Sequence, residues 1–253
     1  MIKKNILIVG GSSGLGFELF EKYNNQGHKV FLLTKNIKNL KRNLKTSKIK
    51  KNFNYSYLDL SSIKDIKKQI QKVKRYFKNT IHNVIHVSGG GLGVREIDPK
   101  YEKLIKVMNL NILSLIEINK LIIPLMKKKR SGVIVHISSI AAFEAVGSLS
   151  YNISKAALNS YVRTMGRYLA KYNVVLTGIA PGGFIAQDNA MHRLKKKNIK
   201  IYKDFIKYRI PRGKMGKTEE IIPLINFLCS EFSGMMSGCI IPIDAAEGKF
   251  YNN

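Results

Sequence analysis

Short apolar runs alternate with longer amphipathic stretches along nearly the whole chain, and this alternation restricts the possible folds more than any other feature. The runs "NILIVGG", "KVFLLT", "NYSYLDLS", "NVIHVSGGG", "GVIVHISS", "VVLTGIAPGG" and "CIIPID" are short and rich in β-branched residues, and Gly, Ser or Asp closes most of them. Each reads as a β-strand. Most are apolar on consecutive residues, as strands covered on both faces are. Between them, "LGFELFEKYNNQG" (ending at Gly27), residues 62–78, "YEKLIKVMNLNILSLIEINKLIIPLMKKK", "YNISKAALNSYVRTMGRYLAKY" and "EEIIPLINFLCSE" read as helices, and a Lys-rich segment fills 35–51. Strand and helix taken in turn predict an α/β fold, a doubly wound parallel sheet of about seven strands with helices on both faces. No internal repeat, Pro/Ser linker or break in composition divides the 253 residues, so a single domain over 1–253 is expected.

The charge is lopsided: 44 Lys and Arg stand against 16 Asp and Glu, a formal +28. Such an excess can mark a nucleic-acid partner. Here it is mostly Lys, comes with abundant Asn and Ile, and is spread along helices such as "SSIKDIKKQIQKVKRYFKN", where it forms a solvated face. The expectation is no nucleic acid, but a general attraction for anionic small molecules. No apolar run approaches the roughly 18–20 residues that a membrane span needs. The opening "MIKKNILIVGG" passes straight into a strand pattern, so a cytoplasmic protein with no membrane partner is expected. Cys229 and Cys239, with no cluster of metal ligands nearby, suggest neither a disulfide framework nor a metal site.

Two local patterns carry chemistry. After the first strand the chain reads "VGGSSGLGFELF", with glycines at 10, 14 and 16. Glycine lets a backbone approach a ligand, and a Gly-rich turn that opens a helix presents N–H groups and a positive dipole end to phosphate. The spacing G-x-x-x-G-x-G differs from the G-x-G-x-x-G dinucleotide fingerprint. In "YNISK", Tyr151 and Lys155 are four apart, one above the other on a helix face. Alone, such a pair is an ordinary surface contact.

Taken in order, these patterns resemble the short-chain dehydrogenase/reductase family over residues 4–248. The matching pieces are "GGSSGLG", "YLDLS" after the third strand, "VSGG" after the fourth, Asn111 in the long helix, "HISS" ending the fifth strand, "YNISK", "APGG" after the sixth, and the closing "RGKMGKTEEIIPLINFLCSEFSGMMSGCIIPID". The resemblance implies a Rossmann-like domain and an NAD(P)-dependent oxidoreductase that moves hydride between nicotinamide and a carbonyl or secondary alcohol. It implies four catalytic residues. Tyr151 would exchange a proton with the substrate oxygen. Lys155 would hold the nicotinamide ribose and, as a cation, favour the phenolate of a group that otherwise titrates near about 10. Ser139 would hydrogen-bond the substrate oxygen, and Asn111 would bend its helix and hold a water that passes protons to Lys155. Cofactor contacts are implied at Gly10, Ser12, Ser13, Gly14, Leu15 and Gly16, at Thr34 and Lys35, and at Asp59 and Leu60. Further contacts are implied at Ser88 and Gly89, at Tyr151 and Lys155, and at Pro181, Gly182, Phe184 and Ile185.

The fifth strand ends in two serines. Ser138 has the separation from Tyr151 that is commoner in the family, whereas the family usually employs the second serine where two are present. Strand register favours Ser139, because a slip of one residue turns a side chain to the opposite face; Ser138 stays as the alternative. Cofactor choice turns on "FLLTKN", where an acidic residue would accept bonds from a ribose 2′-hydroxyl and mark NAD. Thr34, Lys35 and Asn36 stand there instead, and Lys35 could pair with a 2′-phosphate, which favours NADP(H) over NAD(H). Departures from the family pattern are Val9 for a usual threonine, "VSGG" for N-N-A-G, Ala186 for a threonine near the carboxamide, and "IDAAEG" for a D-G-G ending.

Residues 186–212 fall where the family places a mobile substrate-covering segment. They carry His192, Arg193, Lys203, Lys207, Arg209 and Arg212, and with Arg95 they point to an anionic substrate; Arg95, His192 and Arg193 are the substrate candidates. "VSGGGLG" and "MSGCIIPIDAAEG" are similar to members associated with bacterial surface-sugar and flagellin-modification pathways. The first expectation is thus an oxidoreductase for a phosphorylated or nucleotide-linked sugar. The alternatives are a 3-oxoacyl-acyl-carrier-protein reductase and, more remotely, a non-catalytic Rossmann sensor or nucleic-acid binder. Surplus apolar positions on the helices 101–126 and 156–169 predict a homodimer or homotetramer, with the tail "CIIPIDAAEGKFYNN" adding a second interface.

Overall fold

The computed structural model describes residues 2–49 and 53–250. Positions 50–51 of the Lys-rich segment and 251–253 of the expected interface tail lie outside the described residues. In chain order the elements are β1 (Asn5–Val9), α1 (Gly14–Asn25), β2 (Lys29–Thr34), α2 (Ile37–Thr46), β3 (Phe53–Tyr57), α3 (Ile63–Tyr76), β4 (Asn83–His86), α4 (Tyr101–Met108) and, after a π-turn at Asn109–Leu113, α5 (Ser114–Lys129). Then follow β5 (Gly132–Ile137), α6 (Leu149–Ala170), β6 (Val174–Pro181), β7 (Phe184–Ile185), α7 (Ala190–Lys197), α8 (Ile199–Arg209), β8 (Gly216–Lys217), α9 (Thr218–Leu228) and β9 (Ile240–Ile243).

Among the described residues, seven strands form one sheet in the order β3-β2-β1-β4-β5-β6-β9, every pairing parallel. The consecutive apolar residues of the central strands follow from this, because both faces are covered. Alternate residues of each strand go to opposite sides. Leu7, Val9, Phe31, Leu33, Val84 and Ile134 join a core with α3, α5 and α6. Ile6, Ile8, Val30, Leu32, Ile85 and Val135 join a second core with α1 and α9. Strand order reverses between β1 and β4, so the chain departs to opposite faces there and leaves a crevice at the carboxyl ends of these strands.

Helix α1 closes at Asn25, and Gly27 takes the left-handed φ of +82° that ends the turn. The third strand is shorter than its apolar pattern, so Asp59 and Leu60 lie in the loop beyond it. The long helical segment Tyr101–Lys129 is apolar enough by length and composition to cross a membrane, yet half of its apolar window is buried within the fold. Its interruption at Asn109–Leu113 coincides with Asn111. The Asn111 amide donates to the Val107 carbonyl at 2.8 Å, four residues back, inserting into the helical ladder.

Candidate active site

The crevice opens into a cleft of about 1120 Å³ above β1, β4, β5 and β6, and the glycine-rich turn 10–16 forms one wall. Gly10 has a φ of +84°, and a Cβ there would lie 2.6 Å from the Ser88 backbone nitrogen. Only glycine lets the ends of β1 and β4 come so close. A second cavity of about 460 Å³ shares Gly10, Gly11, Ser12, Ser88, Gly89 and Leu92 with the first. Thr34, Lys35, Asn36, Asp59 and Leu60 line it, together with Lys106, Asn109 and Leu110. Sequence reasoning missed the last three, since nothing in "YEKLIKVMNLNIL" separates a cavity-facing residue from a solvated one. The Lys35 ammonium sits 3.3 Å from Asp59. The Ser61 backbone N–H, then its hydroxyl, and further the Lys35 ammonium hold the Asp59 carboxyl below its ordinary range.

At the other end of the cleft stand Ser139, Tyr151 and Lys155. Helix α6 presents Tyr151 and Lys155 on one face, with the Lys155 nitrogen 5.6 Å from the Tyr151 ring centre. The two serines diverge. Ser139 hydrogen-bonds the Tyr151 phenol and caps the short 3-10 turn Ile140–Ala142, whereas the Ser138 hydroxyl donates to Asn159 at 2.5 Å. Burial pushes the Tyr151 phenol above its ordinary value, and the Ser139 hydrogen bond pulls it back only in part.

Lys155 departs from the expectation that its charge lowers the tyrosine. Its ammonium is buried and donates to the Ile137 carbonyl at 2.8 Å, facing β5. Burial without a counter-ion pushes Lys155 itself down to about 7. Asn111 is fully buried, and its side chain grips Gly90 by accepting from the backbone N–H at 3.0 Å and donating to the carbonyl at 2.9 Å. A Cβ on Gly89 would meet the Asn111 oxygen at 3.0 Å and the Lys155 nitrogen at 3.1 Å. Asn111, Gly89 and Lys155 therefore pack as one unit.

Pro181, Gly182 and Phe184 line the cleft, whereas Ile185 is not among its lining residues and pairs with Lys217 in the β7–β8 ribbon. The ribbon leads into α7 and α8, which supply Ala190, Met191, Arg193, Leu194, Lys197, Phe205 and Arg209 to the cleft. Arg95 and Arg193 line it too; His192 does not, because its ring accepts the Asp188 backbone N–H at 3.0 Å and closes the turn before α7. Gln187 and Asp188 lean over the glycine-rich turn: a Cβ on Gly14 would lie 2.8 Å from the Gln187 carbonyl, and Asp188 pairs with Arg42 of α2 at 3.4 Å.

The residues fit a dinucleotide. The cradle at 10–16 is closed to any side chain at Gly10, two joined cavities run from Lys35 to Tyr151, and a buried ammonium sits at their far end. Comparison with known proteins agrees. The family model described as short chain dehydrogenase matches residues 4–198. The chain is similar to a tropinone reductase homolog of Arabidopsis thaliana, 28% identical over 243 residues, covering 95% of this chain and 90% of the relative. It is 26% identical to the 3-oxoacyl-[acyl-carrier-protein] reductase of Chlamydia trachomatis, covering 96% of this chain and 97% of the relative. It is also 26% identical to sorbitol-6-phosphate 2-dehydrogenase of Klebsiella pneumoniae, covering 98% and 97%. Among solved structures, ElxO with NADP bound superposes with a TM-score of 0.88 at 22% identity, all of both chains being covered. This chain belongs to the short-chain dehydrogenase/reductase family of NAD(P)-binding Rossmann oxidoreductases, enzymes acting on CH–OH groups.

Proposed function

We propose that the protein is an NADP(H)-dependent reductase or dehydrogenase for a small anionic carbonyl or alcohol, with a phosphorylated or nucleotide-linked sugar as its substrate class. The observation that carries this is the charge of the cleft. Its carboxylates Asp188 and Glu247 are each matched by an arginine, Arg42 and Arg209. Arg95, Arg193 and Lys197 also line it, and none of the three forms a salt bridge among the described residues. A low-dielectric cleft with surplus cations concentrates anions. Lys35 and Lys106 beside the second cavity favour a 2′-phosphate in the same way. The likeness to sorbitol-6-phosphate 2-dehydrogenase supports the sugar reading. The equal likeness to a 3-oxoacyl-[acyl-carrier-protein] reductase supports the second, in which the basic rim faces an acidic carrier.

Bound nicotinamide supplies or accepts the hydride. Tyr151, kept protonated by burial, is the acid that gives its proton to the carbonyl oxygen during reduction. Ser139, joined to that phenol, orients the same oxygen. Lys155, pushed down to about 7, can release and regain a proton near neutrality and so restore the phenol. Asn111 keeps the Gly89–Gly90 turn against the lysine. The segment 186–212 covers the substrate, and two-fold assembly through α5 and α6 completes the enzyme. Following reduced-nicotinamide absorbance with panels of sugar phosphates, sugar nucleotides and acyl thioesters tests the reading. Turnover of neutral carbonyls in preference to all anionic ones overturns it.

A further inference from the structure

The tail after β9 turns back into the cleft. Ala245 and Ala246 take left-handed φ values of +54° and +62°, with Asp244 accepting from Ala246 N–H at 3.2 Å and Gly248 N–H at 2.9 Å. Two successive alanines in that region are strained, and such strain persists where surrounding contacts over-determine it. The turn delivers Glu247. Its side chain is 3% exposed, although it belongs to a residue type that is almost never fully buried unless paired. One oxygen accepts the Gly183 backbone N–H, and the other lies 3.3 Å from the Arg209 guanidinium at the end of α8. A Cβ on Gly182 would stand 2.7 Å from the same carboxylate. Beyond Glu247, the Phe250 ring stacks on Phe143 at 4.6 Å, and Glu144 accepts the Phe250 N–H at 2.9 Å.

We infer that Glu247 is a positioning residue for the reaction: its carboxylate fastens the 181–183 floor of the cleft to α8, so that the tail sets the closed geometry of the substrate end. The inference rests on the proposed reading only in calling this the substrate end. A carboxylate shared between a backbone N–H and an arginine couples the two, because removing either partner leaves the other facing a buried charge. The charged groups facing Glu247 are Arg209 on α8, Asp244 on the tail and Glu144 on the loop after the 3-10 turn. Burial, the largest influence, raises its carboxyl, so the docked state takes up a proton more readily than an opened one.

Amide hydrogen exchange of the full chain, read over 199–209, tests this. Glu247→Gln keeps an oxygen for Gly183 but loses the ion pair, and should speed exchange of α8 roughly tenfold. Arg209→Gln should do the same, and the double variant should be no faster than either single one. After correction for intrinsic rates, α8 exchange should slow in the wild type as pH is lowered from about 8 to 5 and stay flat in Glu247→Gln. Unchanged α8 exchange in folded Glu247→Gln and Arg209→Gln overturns the inference. Should the first fail to fold, the second decides alone, since Arg209 is partly exposed. NADPH titration of the wild type by fluorescence, run alongside, checks cofactor binding separately. Failure of the wild type to bind NADPH refutes the proposed function while leaving the exchange result intact.

Discussion

Tyr151 and Lys155 share a helix face but not an environment, and their roles separate accordingly. Tyr151→Phe removes the phenolic hydroxyl and with it the transferable proton, so turnover should fall by about 10²–10⁴-fold while NADPH affinity, measured by fluorescence titration, stays close to wild type. Near-normal turnover in that variant would refute the mechanism. Lys155→Met should damage both, since the buried ammonium sits against Gly89 and Ile137 in the floor of the cleft. Lys35→Glu sets a second carboxylate beside Asp59 where a 2′-phosphate would lie, and should weaken NADP binding roughly tenfold more than NAD; equal losses in calorimetric titrations would make Lys35 a bystander. At this scale the sequence exposed the Gly-rich turn, Ser139, Tyr151 and Lys155, because motif spacing dictates their placement. It did not expose Glu247 or Lys106, whose partners are distant in the chain, nor the engagement of His192 with its own turn. Lysine-lowered tyrosine was the wrong inference from spacing: four residues on a helix set Cβ positions, and the long lysine chain then found the Ile137 carbonyl.

Between β4 and β5 the elements hold an unusual polar pair. His86 and His136 face each other in register and stack at 4.5 Å, fully buried. The Asn119 oxygen accepts from His86 at 2.8 Å, its amide donates to His136 at 3.1 Å, and the same amide donates to the Tyr161 hydroxyl at 3.1 Å. Burial pushes His86 down from 6.5 to about 4 and lowers His136 in the same direction. The sign follows: the unfolded chain takes up protons first, so the contribution is full above 6.5 and is lost as pH falls from 6.5 toward about 4. For His86 this amounts to about 3 kcal/mol. Urea unfolding should therefore show stability falling through that window, and His86→Asn, which cannot titrate, should fall less steeply. Equal slopes would show that the pair does not control acid stability. The strands were readable from apolar runs, and the two histidines hid within them because nothing in "NVIHVS" or "GVIVHIS" shows that they meet. The π-turn at Asn109–Leu113 was foreseen only as a local bend at Asn111; the ladder bonds that define it depend on where Gly90 lies.

At the scale of the whole molecule, the order of elements along the chain was enough to predict the sheet, because parallel strands with intervening helices have few ways to close. What the chain order leaves open is which surfaces remain after folding, and these bear on assembly. Helix α5 buries Leu115, Ile118, Ile122, Ile123 and Met126 in the monomer but leaves Ile116, Leu121 and Leu125 only partly covered. Just before it Leu113 is 40% exposed, and on α6 Ile153 and Tyr168 are each 43% exposed. A helix that needs one apolar stripe thus carries a second. At the sheet edge, β9 pairs only with β6 among the described residues, and its Ile240–Ile243 side chains are half-buried, while Phe232 and Met235, earlier in the chain, are exposed. Such an edge invites pairing with another chain. With two separate surplus faces, closed two-fold symmetry gives a dimer through one and a tetramer through both. Light scattering of the purified protein at micromolar concentration should return the mass of two or four chains of 28.6 kDa. Leu121→Glu, which places a carboxylate in the half-covered α5 face, should reduce that mass by at least half without loss of helical circular dichroism. A single-chain mass for the wild type would rule out the assembly and leave the second stripe on α5 as plain exposed surface.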